Sequence, residues 1–143
     1  MLVHVLVGLY AALVGLVVGS YLNVVIHRLP LGLSTVRPRS RCPGCGAPIR
    51  ARDNLPVLSW LVLGGRCRDC GEPISWRYPA IETLTGLLFA ASVLRFGVSP
   101  EAAGGAVFCA LCVALAAIDA EHMILPDRIT LPGILLGIGF QAW

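Results

Sequence analysis

Three stretches of this chain are apolar almost without interruption, and one long polar stretch separates the first from the second. Leu2–Ile26 is broken only by His4, Tyr10, Ser20, Tyr21 and Asn23. Tyr78–Leu94 holds one carboxylate, Glu82, and Ala102–Ile118 runs for seventeen residues without a charge. A helix needs about 20 residues to cross a hydrocarbon core of ~30 Å, so each stretch predicts a membrane span. The second and third are joined by a short turn, "RFGVSPE". A fourth apolar run opens near Ile129 ("ITLPGILLGIGFQAW") and continues for fifteen residues, about a turn short of a comfortable crossing. It is expected to be a span that is cut off.

The pattern predicts an all-α polytopic membrane protein with three to four transmembrane helices. It divides the chain into a first transmembrane helix (1–27), a Cys-rich polar domain (28–77) and a second membrane region (78–143) from which further helices are expected. Composition agrees: 57% of residues are hydrophobic and 13% charged, against about 25% charge in a typical soluble domain. Mean hydropathy is +0.80. The N-terminal run lacks the basic start and small-residue cleavage site of a secretory signal, which makes it a retained anchor.

Charge orients the bundle. The chain has no lysine, and nine of its eleven arginines lie between His27 and Arg77. The positive-inside rule places that loop in the cytoplasm, the N-terminus outside, and the end of the third span at the cytoplasmic boundary. Topology and contact with anionic lipid account for these arginines. No aromatic interleaving or nucleic-acid motif accompanies them, so no nucleic-acid partner is expected.

Within the loop, "RCPGCGAPI" from Arg41 recurs as "RCRDCGEPI" from Arg66, an offset of twenty-five residues. Each C-x-x-C-G turn aims two thiolates at one point, and two such hooks supply the four soft ligands of a closed tetrahedral zinc site: Cys42, Cys45, Cys67 and Cys70. A reducing cytoplasm disfavours disulfides between them. With four thiolates bound, no coordination position remains for substrate, so the zinc is structural. Leu55, Val57, Leu58, Trp60 and Leu61 are the loop's main apolar residues, too few to build a core without metal. Cys109 and Cys112 also form a C-x-x-C, but inside the third span, where cysteine packs as a small hydrophobe.

The remaining candidates are acids at the edges of apolar runs. A carboxylate near a membrane boundary is costly unless it meets water or a partner, and so points to function. Asp119, directly after the third span, is the leading candidate. Asp127 follows Pro126 and precedes the fourth run, a position suited to capping the next helix. Glu82 is expected to pair with Arg77 or Arg128, or to share a cavity with Asp119. Glu121 and His122 are placed on a solvated connection.

Four motifs in order, "GSYLNVVIHRLP" (19–30), the paired hooks around "NLPVLSWLVLGGRC" (54–67), "ISWRYPAIE" (74–82) and "IDAEHMILPDRITLP" (118–132), make the chain resemble the bacterial type IV prepilin peptidases. The resemblance implies a polytopic aspartic protease of the bacterial inner membrane. Such an enzyme cleaves the basic leader from prepilins and from type II secretion pseudopilins, and in many members methylates the new N-terminus with S-adenosylmethionine. It implies Asp119 as the first catalytic carboxylate. The second belongs to a Gly-x-Gly-Asp motif that residues 1–143 do not contain, so the chain is expected to be part of a longer enzyme and inactive alone. Two other classes remain: a noncatalytic zinc scaffold for pilus or secretion assembly, and a membrane thiol oxidoreductase with a reversible Cys42–Cys45 disulfide.

Overall fold

The computed structural model describes residues 2–142, and its regular structure is helical throughout. Five helices follow in order: α1 (Leu2–Arg28), α2 (Leu58–Val62), α3 (Arg77–Phe96), α4 (Pro100–His122) and α5 (Asp127–Ala142), with one 3-10 turn at Ala51–Asp53. Among the described residues α1, α3 and α4 are long and apolar enough to cross a membrane. At 1.5 Å per residue the twenty residues of α3 span about 30 Å, the thickness of the hydrocarbon core. α5 has sixteen residues and stays below that length.

Helix ends follow local chemistry. Gly97, at φ 71°, closes α3 by returning its N–H to the Val93 carbonyl. Two residues on, Ser99 caps α4 by accepting the Ala102 N–H at 3.2 Å, with Pro100 at the first helical position. The α4 helix ends at Met123, whose left-handed backbone brings its N–H to the Asp119 carbonyl at 2.8 Å.

Small residues decide the packing. α1 carries Gly15 and Gly19 in the GxxxG spacing that lets two membrane helices touch backbone to backbone. A Cβ on Gly15 would lie 2.7 Å from the Gly86 Cα, and one on Gly19 would lie 2.7 Å from the Glu82 Cα. α4 then lies against both, and Ile26, Ile81 and Ile118 meet in the shared core, with Ile26 and Ile118 fully buried. In the N-terminal part of α1, where Gly8, Ala11, Gly15 and Gly19 are the buried residues, the large ones point outward: Leu6, Leu9, Leu13 and Val17 are each more than half exposed. In water that surface would be untenable; in lipid it is the ordinary solvent-facing side. α5 contacts mainly α4 and buries only Ile129.

Candidate metal centre and boundary carboxylates

The two hooks of the 28–77 loop fold identically. In the first, the Cys42 N–H bonds the Ala47 carbonyl at 2.9 Å and the Gly46 N–H returns to the Cys42 carbonyl at 2.9 Å. The second repeats this, with Cys67 to Glu72 at 2.8 Å and Gly71 to Cys67 at 3.0 Å. Gly46 and Gly71 both have φ above 70°, a backbone that glycine adopts without strain. Each hook is closed by a two-residue bridge, Arg41 with Pro48 and Arg66 with Pro73.

These turns bring the four sulfurs of Cys42, Cys45, Cys67 and Cys70 within 4.8 Å of one another. Cys42 Sγ and Cys70 Sγ are 3.7 Å apart, too far for a disulfide at about 2.05 Å. Sulfurs about 2.3 Å from a tetrahedral zinc ion stand about 3.8 Å apart, so the donor set and its spacing fit a metal of that kind. None of the four is in a disulfide. The Cys45 backbone N–H, helped by that of Gly44 and by neighbouring thiols, outweighs burial and brings the Cys42 thiol down to about 7. The Glu72 N–H pulls the other way at Cys70, yet burial and the three neighbouring thiols push that group up to about 12. Four adjacent thiols titrate as a set, and full ionisation of the set requires a cation to offset the repulsion among thiolates.

Two ion pairs tie the second hook to the Ala51–Asp53 turn. Arg68 forks onto Asp53 through contacts of 2.7, 3.0 and 3.1 Å, and Arg50 meets Asp69 at 3.2 Å. The Arg68 guanidinium holds the Asp53 carboxyl below its usual range. Ser59 accepts the Leu55 N–H and donates to the Arg52 carbonyl, while the Trp60 indole N–H donates to Ile74 across the loop. The loop's interior is thus polar and sulfur-rich. Leu55, Leu58 and Leu61, expected to anchor it, instead lie outside and are each more than half exposed.

The boundary acids occupy three different settings. Asp119 is exposed, one position after the fully buried Ile118, on the last turns of α4. Asp127 is the first residue of α5 rather than its cap: Pro126 precedes it, and the Pro126 carbonyl accepts the Ile129 N–H at 2.9 Å and the Thr130 N–H at 3.1 Å. Its carboxylate then acts on the helix dipole alone. Glu82 is 7% exposed and pairs with neither Arg77 nor Arg128; its Oε2 accepts the Val57 N–H at 2.7 Å. Arg77 turns instead to Glu121, which is exposed as expected but lies in the last turn of α4 rather than on a connection, with His122 3.9 Å from the same carboxylate. Asn23, 2% exposed on α1, donates to the Tyr78 carbonyl at 3.1 Å.

Cys109 and Cys112 line an apolar cleft of about 510 Å³ between α3 and α4, with Leu84, Leu88 and Phe108 among its other walls. Nothing polar converges on them. The Gly15–Gly19 contact and the Arg77–Glu121 pair escaped the sequence reading. The GxxxG spacing carried a signal for the first; no local pattern announced the second.

Residues 13–96 match the family described as the Bacterial Peptidase A24 N-terminal domain, and residues 106–143 match the Type IV leader peptidase family. A curated relative named Prepilin leader peptidase/N-methyltransferase from Myxococcus xanthus (strain DK1622) is 54% identical over 133 residues, which cover 93% of this chain and 40% of the relative. The protein of the same name from Klebsiella pneumoniae is 45% identical over 140 residues, covering 94% and 61%. That from Burkholderia pseudomallei (strain 1026b) is 40% identical over 159 residues, covering 94% and 52%. The chain spans about half the length of these relatives. No solved structure matches it.

Proposed function

The chain belongs to the type IV leader peptidase family, and from that premise we propose that it supplies the first half of an aspartic active site that removes leader peptides from prepilins and pseudopilins. The observation that carries this reading is Asp119: an exposed acid directly after a fully buried isoleucine, at the end of a helix otherwise fit to span a membrane. A substrate whose leader ends at the membrane surface meets an acid at that level, where water also reaches.

The chemistry requires a second carboxylate. One acid, ionised, takes a proton from the attacking water; the other, protonated, donates to the scissile carbonyl. Two adjacent carboxylates share one proton because a second negative charge so close is unfavourable. Asp127 is a poor partner, since it opens α5 and acts on that helix's dipole. The partner of Asp119 is the aspartate of a Gly-x-Gly-Asp motif of the kind the family resemblance implies, absent from residues 1–143.

In this reading residues 28–77 form a cytoplasmic domain held by zinc at Cys42, Cys45, Cys67 and Cys70, while residues 1–27 and 78–143 form the membrane region of an inner-membrane protein with its N-terminus outside. The zinc supplies folding energy and takes no part in hydrolysis. Methyl transfer, named for the relatives, would draw on S-adenosylmethionine, and no residue here is assigned to it. The test uses the purified 143-residue chain in nanodiscs with a prepilin-derived peptide. It is expected to bind one zinc and to release no leader; cleavage by this chain that disappears in Asp119→Asn would overturn the two-carboxylate assignment.

A further inference from the structure

The loop between α1 and α3 is fastened to the membrane bundle at an unusual point. Pro56–Val57–Leu58 forms a γ-turn of the rare positive-φ kind: Val57 sits at φ 61°, ψ −50°, and the Leu58 N–H closes on the Pro56 carbonyl at 2.6 Å. A β-branched residue reaches that conformation only under constraint from its surroundings. The constraint is visible: the Val57 N–H points into the bundle and donates to the Glu82 carboxylate. Glu82 is itself pinned, since its Cα backs onto Gly19 of α1 with no room for a Cβ between them.

Depth follows from the helix. Glu82 lies five residues into α3, about 7.5 Å along its axis. Trp76 and Tyr78, both exposed, stand at the start of the same helix, the level at which aromatic side chains mark the interface of a bilayer. Even with its side chain turned back toward the N-terminus, as helical side chains lean, Glu82 draws Val57 down to about the level of that aromatic pair. The segment that follows cannot stand clear of the membrane.

Its outer surface suits that place. Leu55 is 53% exposed, Leu58 60%, Leu61 61% and Val62 79%, while Ser59 between them is buried and bonded inward. A short helix with its polar residue inside and its apolar residues outside is inverted for water. Arg52 and Arg66, exposed on either side of it, suit the anionic headgroups above. We propose that Leu55, Leu58, Leu61 and Val62 dip into the lipid leaflet on the loop's side, with the Glu82–Val57 bond as the tether that sets their depth. The metal-bearing hooks are then part of a lobe half-sunk in the interface rather than a free domain on flexible linkers. The inference rests on the membrane-spanning reading of α1 and α3 and is independent of the role of Asp119.

The test places a nitroxide-bearing unnatural amino acid at position 62 of the zinc-loaded protein, in nanodiscs of phosphatidylethanolamine and phosphatidylglycerol. Collision rates with oxygen, which concentrates in lipid, are compared with those of a water-soluble nickel chelate. The same label at the exposed position 72 of the second hook gives the aqueous reference. The expected result is an oxygen-to-nickel ratio several-fold above that reference, falling toward it in Glu82→Ala. A label at 62 that favours nickel lies in water and overturns the proposal; a label shielded from both probes is covered by protein and overturns it equally. An unchanged ratio in Glu82→Ala removes the tether. Should Glu82→Ala fail to fold or lose its zinc, the label at 62 in the parent still decides whether this face meets lipid.

Discussion

Gly19→Ala tests the bundle where its geometry is tightest. The new Cβ would stand 2.7 Å from the Glu82 Cα and 3.1 Å from the Ile81 carbonyl oxygen, both fixed by helix backbone. Ordinary carbon contacts begin at about 3.5 Å, so α1 and α3 must part locally by about 0.8 Å. A gap of that size forfeits roughly a quarter to a half of the dispersion energy of the contacts it opens, and overpacking of this kind costs about 1–3 kcal/mol. Alanine's better helix propensity returns about 1 kcal/mol. The sum is a loss of up to about 2 kcal/mol, with Gly15→Ala comparable because its Cβ meets the Gly86 Cα and the Thr85 carbonyl oxygen. Gly137→Ala is the control: nothing lies within 4 Å of its Cβ, so only the propensity gain applies. Stability is read by thermal unfolding in nanodiscs. Hydrogen exchange at Val57 reports the same event locally, since displacement of Glu82 frees that amide. Gly137→Ala as damaging as Gly19→Ala, or more so, would refute backbone contact between α1 and α3.

Four further outcomes are expected. Chelation of the metal should unfold the hooks while leaving the membrane helices intact, seen as rapid hydrogen exchange at Cys42, Gly46, Cys67 and Gly71 with most of the helical circular dichroism retained. Ser99→Ala should cost α4 about 1 kcal/mol, the usual worth of an N-cap, in thermal unfolding, whereas Asp127→Asn should cost α5 about 0.3–1 kcal/mol through the dipole. The Asp53–Arg68 fork should contribute in full above the ordinary carboxyl value of 3.8 and weaken as pH falls through the lower value Asp53 has in the folded loop. In Asp53→Asn that acid-dependent part of the unfolding curve should vanish. Cys109→Ala and Cys112→Ala should leave metal content unchanged, as measured by elemental analysis, because both thiols lie in the α3–α4 cleft.

Much of this architecture was legible because lipid imposes simple rules. Long uncharged runs must be helices, and the observed α1, α3 and α4 exceed the apolar runs by at most four residues at either end. The duplicated hooks were equally legible, since a C-x-x-C-G turn has one economical way to point two sulfurs at a common centre. What the pattern misjudged were residues whose partners lie far away in sequence. Glu82 was matched to Arg77, to Arg128 or to a cavity shared with Asp119, yet the partner it has is a neutral backbone N–H twenty-five residues earlier. Leu55, Leu58 and Leu61 were read as the loop's few apolar anchors, and the structure leaves each of them more than half exposed. Asp127 was given the capping position, yet it is the first residue of α5 and Pro126 stands before it. The Arg77–Glu121 pair joins two helix ends that only tertiary packing brings together.

The central claim is that Asp119, and not its neighbour eight residues on, is the catalytic acid that this chain brings to leader cleavage. The direct measurement is the rate of prepilin cleavage by membranes carrying the complete enzyme, with Asp119→Asn and Asp127→Asn compared at equal protein and equal zinc content. The account predicts background cleavage for Asp119→Asn and near-parental cleavage for Asp127→Asn. Parental cleavage by Asp119→Asn would contradict it, whatever Asp127→Asn does.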